Sequence, residues 1–480
     1  WCRFRILREK KEEQMKLIYK INIAAFLLLA VAACSDEFLE LTPHQSVSNE
    51  QALTTIDDYN SSITAVYNGL SSANYYGRYF LLVPDVMSDD VKQHPSANRA
   101  KDYAEYIATV GDGIALGMWQ EMWQNINALN AIINADVELP AAVEADRNHI
   151  VGEAYALRGL VYFDMVRMFA QHYTYTSDAS HLGVPLVLEF DQFNEPSRNT
   201  VEEVYNQIIA DMNQGISMLS NNPRTGRTST LNNTAAKALL ARVYLYKEDW
   251  ANAEALATEV INSGEYTLVS NGNYLSSWSS DYSSESIFEI AMTENDNRGS
   301  DALGRMYIVE GYGDYLPSND VVSLYSNDDV RRGWFKEDNF LTGDYAPYRV
   351  NKYPSINGTD NTKVIRLSEV YLIRAEAKAN QGDNTAQADV NAIRQRADAT
   401  APPVTAVGPA LVDEVLLERR KELAFEGQRL WDLMRYKQDV VRNQCTSSIC
   451  TINYPNNRFI LPIPEAELDA NPNMQPNPGY

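Results

Sequence analysis

The sequence predicts a mainly α chain: a scaffold of tetratricopeptide-like helix pairs carrying long inserted loops and a few short strands. Three observations predict it. Apolar residues recur at three- and four-residue spacing over nine segments, the period of a helix with one buried face. Several of these segments come as pairs, with small residues where two antiparallel helices would touch. Between them lie two stretches, 72–113 and 264–356, rich in Ser, Asn, Gly, Asp and Tyr, which read as loops with short strands at most.

In chain order, Trp1 cannot initiate translation, and residues 1–14 are expected to lie outside the natural protein, with Met15 as the start. Lys16 and Lys20 precede an apolar stretch, 21–33, interrupted only by Asn22 and followed by Cys34. A positive region, a short apolar core and a small-residue cleavage site read as a secretory signal at 15–33. Thirteen residues span about 20 Å as a helix, short of the ~30 Å hydrocarbon core of a bilayer. Val31-Ala32-Ala33-Cys34 resembles the lipobox of bacterial lipoproteins, which implies that Cys34 becomes the acylated mature N-terminus. Removing 1–33 takes away seven basic and three acidic groups, so the mature chain carries 34 basic and 61 acidic residues, a net charge of −27. Such a chain is tethered by its acyl anchor and not by attraction to anionic lipid.

The first expected helix, 50–70, places Ile56, Tyr59, Ile63, Val66, Tyr67 and Leu70 on one face. Helices follow at about 114–138, 142–171, 201–220, 234–247 and 251–263. In the last two, Ala241, Tyr244 and Ala253 are offset by three and twelve, as in a tetratricopeptide pair. The helix at 142–171 has the same small-residue texture in Ala154, Ala156 and Gly159. A second pair spans 364–381 and 384–399 around Gln381-Gly382-Asp383, and a long helix is expected over 411–437. There Arg419–Glu422, Glu426–Arg429 and Asp432–Arg435, each three apart, read as solvated pairs worth ~0.2–0.5 kcal/mol. Gly427, in mid-helix at a cost of about 1 kcal/mol against Ala, implies close approach of another backbone. Five prolines between 462 and 478 suggest an extended tail against the helices.

Of 480 residues, 64 are acidic and 41 basic, which excludes nucleic-acid binding as the main task because that work needs a basic face. The five histidines lack the spacing of a zinc protease, and there is no P-loop, no nucleophile elbow and no dinucleotide fingerprint. No cofactor is expected. The Asx-rich stretch 295–301 lacks the spacing and bidentate Glu of a calcium loop and reads as a surface turn. Cys445 and Cys450, in an exported chain, are expected to form a local disulfide. Tyrosine is in excess, 29 against 13 phenylalanines and 7 tryptophans, and its flat face and polar rim suit polar ligands.

Three ordered blocks resemble the SusD/RagB family of outer-membrane glycan-binding lipoproteins of Bacteroidetes. The first is Gly152-Glu-Ala-Tyr-Ala-Leu-Arg158 through Tyr162-Phe-Asp164, with re-entry at Gly183-Val-Pro185. The second is Glu418-Arg419, Glu422-Leu-Ala-Phe-Glu-Gly427, Arg429 and Asp432-Leu-Met-Arg435. The third is Arg458, Leu461-Pro-Ile-Pro464, Glu467, Asn471-Pro472 and Asn477-Pro-Gly-Tyr480. One departure is Gln475-Pro476-Asn477, where the family commonly has Gln directly before Asn-Pro-Gly-Tyr. The resemblance covers residues 15–480 and makes 34–480 one domain, with helical scaffold at about 48–263 and 364–480 and a loop-rich insertion at 264–356.

The resemblance implies a non-catalytic, surface-exposed lipoprotein of the outer membrane that captures glycan and passes it to a SusC-like TonB-dependent transporter. Pyranose C–H faces stack on aromatic rings and sugar hydroxyls seek Asn, Asp, Arg or Tyr, so the aromatic loops are the expected ligand surface. The candidates are Tyr75, Tyr76 and Arg78 on the first loop, and Trp278, Tyr282, Tyr315 and Trp334 on the second. Trp119 and Trp123, four apart on a helix, are assigned to packing. The alternatives are a tetratricopeptide-type protein-interaction module or a receptor for a non-glycan nutrient.

Overall fold

The computed structural model describes residues 10–20, 53–189, 191 and 193–480. Residues 10–20 form an exposed helix; the remainder of the expected signal segment, including Cys34, lies outside the described residues. Among the described residues no helix is long and apolar enough to cross a membrane.

The compact unit from Leu53 to Tyr480 is mainly helical. Its scaffold begins with α1 (Ile56–Leu70), started by a capping box in which Thr55 accepts from the Asp58 N–H and Asp58 accepts from the Thr55 N–H. Then come α2 (Tyr79–Met87), the single turn α3 (Lys101–Ala104), α4 (Gly113–Ile133), α5 (Glu144–Phe169), α6 (Val201–Met218), α7 (Asn233–Lys247) and α8 (Trp250–Ser263). After the insertion, with its short α9 (Asn319–Ser323), the scaffold resumes in α10 (Leu367–Asn380), α11 (Ala386–Ala397), α12 (Pro409–Glu422), α13 (Arg429–Arg435) and α14 (Glu465–Ala470). Helices pack mostly in chain order: α1 on α4, then α4 through α8 in succession, α8 on α10, and α10 on α11 and α12. This is the helix-pair scaffold that the spacing predicts.

Small residues set the closest contact. A Cβ on Gly215 of α6 would lie 2.8 Å from the Gly152 carbonyl oxygen and 2.9 Å from the Ala156 Cβ of α5. One on Gly159 would lie 2.7 Å from Met212 Cγ. The small-residue texture of α5 is therefore the surface on which α6 lies.

Strands pair in four short antiparallel ribbons among the described residues: β1 (Val91–Gln93) with β3 (Tyr315–Pro317), β2 (Ser286–Ile290) with β6 (Thr362–Arg366), β4 (Phe335–Glu337) with β5 (Tyr348–Val350), and β7 (Val440–Val441) with β8 (Thr451–Ile452). β2 and β6 are wholly buried, and β6 runs straight into α10. Cys445 and Cys450, between β7 and β8, are joined by a disulfide.

The tail expected to be extended holds the short helix α14, and the structure corrects two larger expectations. Residues 79–87 are not loop but the helix α2, in which every residue from Phe80 to Met87 is buried. A helix enclosed on all sides has no polar face, so the three- and four-residue rhythm that marks a helix is missing. The long helix expected over 411–437 is two, broken at residues 423–428, where Phe425 and Gly427 adopt positive φ of 64° and 69°. Gly427 does meet another backbone: a Cβ there would stand 2.8 Å from Leu81 Cα.

The charged pairs expected on that helix also differ. Asp432–Arg435 forms, at 2.6 Å, but in the interior. Arg419 instead reaches Glu376 and Asp432, Glu426 takes Lys352 and Arg366, and Arg429 takes Asp89. Glu422 accepts from Arg331, Arg366 and Arg396 at 2.9, 2.6 and 2.6 Å. Arg331 comes from the insertion, so this buried network clamps the insertion onto α12.

Candidate functional site

Six of the seven expected ligand residues are buried, which corrects the expectation that they face a ligand, since a buried ring has no face to offer one. Tyr75 and Tyr76 both donate to Asp164 Oδ2, at 2.6 and 2.7 Å, and Arg167 neutralises that carboxylate. Burial, reinforced by Asp164, pushes both phenols well above their ordinary range, so they stay hydrogen-bond donors. Trp278 and Trp334 pack edge to face and enclose the Lys352 ammonium, 4.2 and 4.0 Å from their ring centres. Arg78 is 7% exposed and Tyr315 is fully enclosed. Tyr282 alone stays half-buried, at φ 54°, with the Arg227 guanidinium 5.4 Å from its ring.

The two loop-rich segments nevertheless converge. β1 pairs with β3 in the register Val91↔Pro317, Lys92↔Leu316 and Gln93↔Tyr315. The ladder continues as the His94 N–H donates to the Asp314 carbonyl at 2.9 Å. This pairing sets loop 94–100 beside loop 310–314. Tyr312 stands between Gly311 and Gly313, and the chain doubles back so that the Tyr312 N–H donates to Arg305 O at 2.7 Å. A Cβ on Gly311 would meet that oxygen at 2.4 Å, and Gly313 sits at φ 57°, so the turn requires both glycines. The turn leaves Tyr312 36% exposed.

Arg99 stands over the Tyr312 ring, its guanidinium carbon 3.3 Å from the centroid, and pairs with Asp314 at 3.1 Å. Buried Tyr315 fixes the position of Arg99 by donating its hydroxyl to the Arg99 carbonyl at 2.7 Å. Beside it Arg78 covers the half-buried Tyr79 at 4.0 Å and holds the exposed carboxylate of Asp301 at 2.7 Å. Burial raises the Tyr79 phenol above its usual range. His94 sits edge-on to Tyr345, 5.7 Å between centroids. Burial and then Arg349 lower its pKa.

The set offers aromatic rings beside guanidinium–carboxylate pairs, which can donate and accept at once. Stacking an apolar ring face while bonding hydroxyls around its edge is the chemistry such a surface supports. The two expected loops do converge, but Tyr79, Arg99 and Tyr312 were not among the expected residues. A tyrosine flanked by glycines, Gly311-Tyr312-Gly313, is the one signal that marked its residue. Arg99 carries none, because its role depends on a strand pairing more than two hundred residues away.

The model of the SusD family matches residues 211–480. The chain belongs to the SusD family. A second SusD-like model, described as starch-binding and associating with the outer membrane, matches residues 37–245. A SusD-like protein of Formosa agariphila is 28% identical over 96% of this chain and 99% of its own length. Among solved structures, a SusD superfamily protein of Bacteroides thetaiotaomicron superposes with a TM-score of 0.81 at 30% identity, covering 88% of this chain and all of the other. A laminarin-binding SusD-like protein superposes with a TM-score of 0.72 at 25% identity, over 89% of this chain and all of its own. The SusD fold thus accounts for the helix pairs.

Proposed function

We propose that this chain is a non-catalytic receptor that captures oligo- or polysaccharide on Tyr79, Arg99 and Tyr312. It passes the glycan to a SusC-like TonB-dependent transporter, and acyl chains on Cys34 hold it at the outer-membrane surface. The observation that carries the glycan reading is the exposed Tyr312 ring backed by Arg99, next to the Tyr79–Arg78–Asp301 group. Membership of a family described as starch-binding supports the ligand class, and the lipobox supports the anchor. A backed ring costs little to order on binding, because its partner already holds it, and this is where affinity is gained.

Affinity electrophoresis against a polysaccharide panel that includes starch and laminarin tests the reading. The wild type is expected to be retarded by at least one glycan, and the Arg99→Ala/Tyr312→Ala double variant to lose about tenfold or more in affinity. A wild type that no glycan retards, while a peptide or protein ligand binds clearly, sinks it.

A further inference from the structure

A second concavity lies on the helical scaffold and shares no residue with the aromatic surface. It is a cleft of about 710 Å³ between the first turns of α5, the middle of α1, and the end of α6 with the loop behind it. The volume falls within the ~300–1,000 Å³ of small-molecule sites. We propose that this cleft is a separate binding site for a small neutral sugar of one or two rings.

Its back wall is built around Glu153. Glu153 is fully buried and accepts from Tyr67 OH at 2.7 Å and from Arg224 Nε at 2.9 Å, with His149 Nε2 3.4 Å away. Arg224 also donates Nη1 to Asn60 at 3.3 Å, and its Nη2 has no partner among the described residues. His149 Nδ1 accepts from the Ser220 N–H at 3.3 Å and lies 3.1 Å from the Ser220 hydroxyl, which itself reaches the Asn222 carbonyl at 2.9 Å. The wall is therefore fixed before any ligand arrives, with Arg224 already balanced by a buried carboxylate.

The groups left for a ligand are the free guanidinium edge of Arg224, the Asn148 amide, the Asp146 carboxylate and the Ser220 hydroxyl oxygen as an acceptor, beside the apolar Met218 and Leu219. They include one cationic and one anionic side chain, with an amide that both donates and accepts. A neutral molecule whose hydroxyls do the same satisfies all of them. A polyanion is opposed by Asp146 and a cation by Arg224. The inference does not depend on the reading of the aromatic surface.

Titration calorimetry tests it with glucose, galactose, N-acetylglucosamine, maltose, cellobiose and laminaribiose as probes. Three proteins are compared: the wild type, the Arg99→Ala/Tyr312→Ala variant and Ser220→Trp, an exposed position whose new ring fills the cleft. Melting curves establish that each folds. Asp146→Arg, also at an exposed position, gives the same readout should Ser220→Trp not fold. At least one sugar is expected to bind the Arg99→Ala/Tyr312→Ala variant as it binds the wild type, and the cleft variant to lose that binding by about tenfold or more. If the Arg99→Ala/Tyr312→Ala variant binds none of the probes, or the cleft variants bind them undiminished, the site does not exist. Failure of the aromatic surface reads out separately, as polysaccharide retardation that survives Arg99→Ala/Tyr312→Ala.

Discussion

Glu422 shows what one residue of the buried network does. Its carboxylate is fully enclosed and accepts from three guanidinium groups and from the Tyr274 hydroxyl. Burial alone would raise its pKa, but Arg396, Arg366 and Arg331 together hold it well below the usual carboxylate range. Glu422→Gln keeps the shape and removes the charge, leaving those guanidiniums short of a counter-ion. The expected cost is about 3–5 kcal/mol at neutral pH, the range for breaking a buried pair from one side. The sign with pH follows from the depressed pKa: the carboxylate's contribution is complete above about pH 4.5 and is lost as pH falls through the lower folded value. Chemical denaturation should therefore show the gap between wild type and variant narrowing below pH 4.5, and a gap independent of pH refutes the assignment. In the sequence these residues look like ordinary helix-surface pairs. Spacing identifies neighbours on one helix but not which face is buried, and the true partners come from residues 331, 366 and 396.

At the scale of elements, most helices were legible, because each buries one face and exposes the other. Apart from the helices of four to six residues, the failures are α2 and the break between α12 and α13, which lie where burial on every side or a left-handed turn erases that contrast. The α5–α6 contact gives a test in which identical substitutions have opposite signs. Gly215→Ala gains up to about 1 kcal/mol of helix propensity, but its methyl meets the Gly152 carbonyl and Ala156 at under 3 Å. Relieving that overlap requires two helices to separate, so a net loss of about 1–3 kcal/mol is expected. Gly113→Ala, at the start of α4 with nothing within 4 Å of the added carbon, is expected to be neutral or slightly stabilising. Thermal melting of the two variants decides it, and a stabilised Gly215→Ala would show that α6 has room to move.

Over the whole molecule, the residues that hold the fold together are not those of the proposed ligand surface. Except for Tyr282, the aromatics that the sequence singled out proved to be internal struts, because composition reports how many tyrosines there are and not which side of a ribbon each one takes. Tyr315 points inward from β3 while Tyr312, three residues earlier, is turned out by its glycines. The terminal segment belongs wholly to stability. Asn477 donates to the Phe169 and Leu461 carbonyls at 2.9 and 2.7 Å and accepts from Arg198 at 2.8 Å. Arg198 is otherwise surrounded by carbonyl oxygens, and burial draws its pKa down to about 10. Asn477→Ala strands the Leu461 carbonyl and one Arg198 N–H, each costing about 1–3 kcal/mol when unpaired, less what relaxation recovers, and leaves the Phe169 carbonyl only its bond from Arg198 Nη2 at 3.2 Å. A loss of about 2–4 kcal/mol is expected, seen as a lower melting temperature and faster proteolysis of the C-terminal segment. Below the melting transition the same variant should be retarded by glycan as strongly as the wild type, since Tyr79, Arg99 and Tyr312 are positioned by β1, β3 and the glycine turn. Weakened retardation in a variant that melts like the wild type would place Asn477 in the ligand surface and contradict this division.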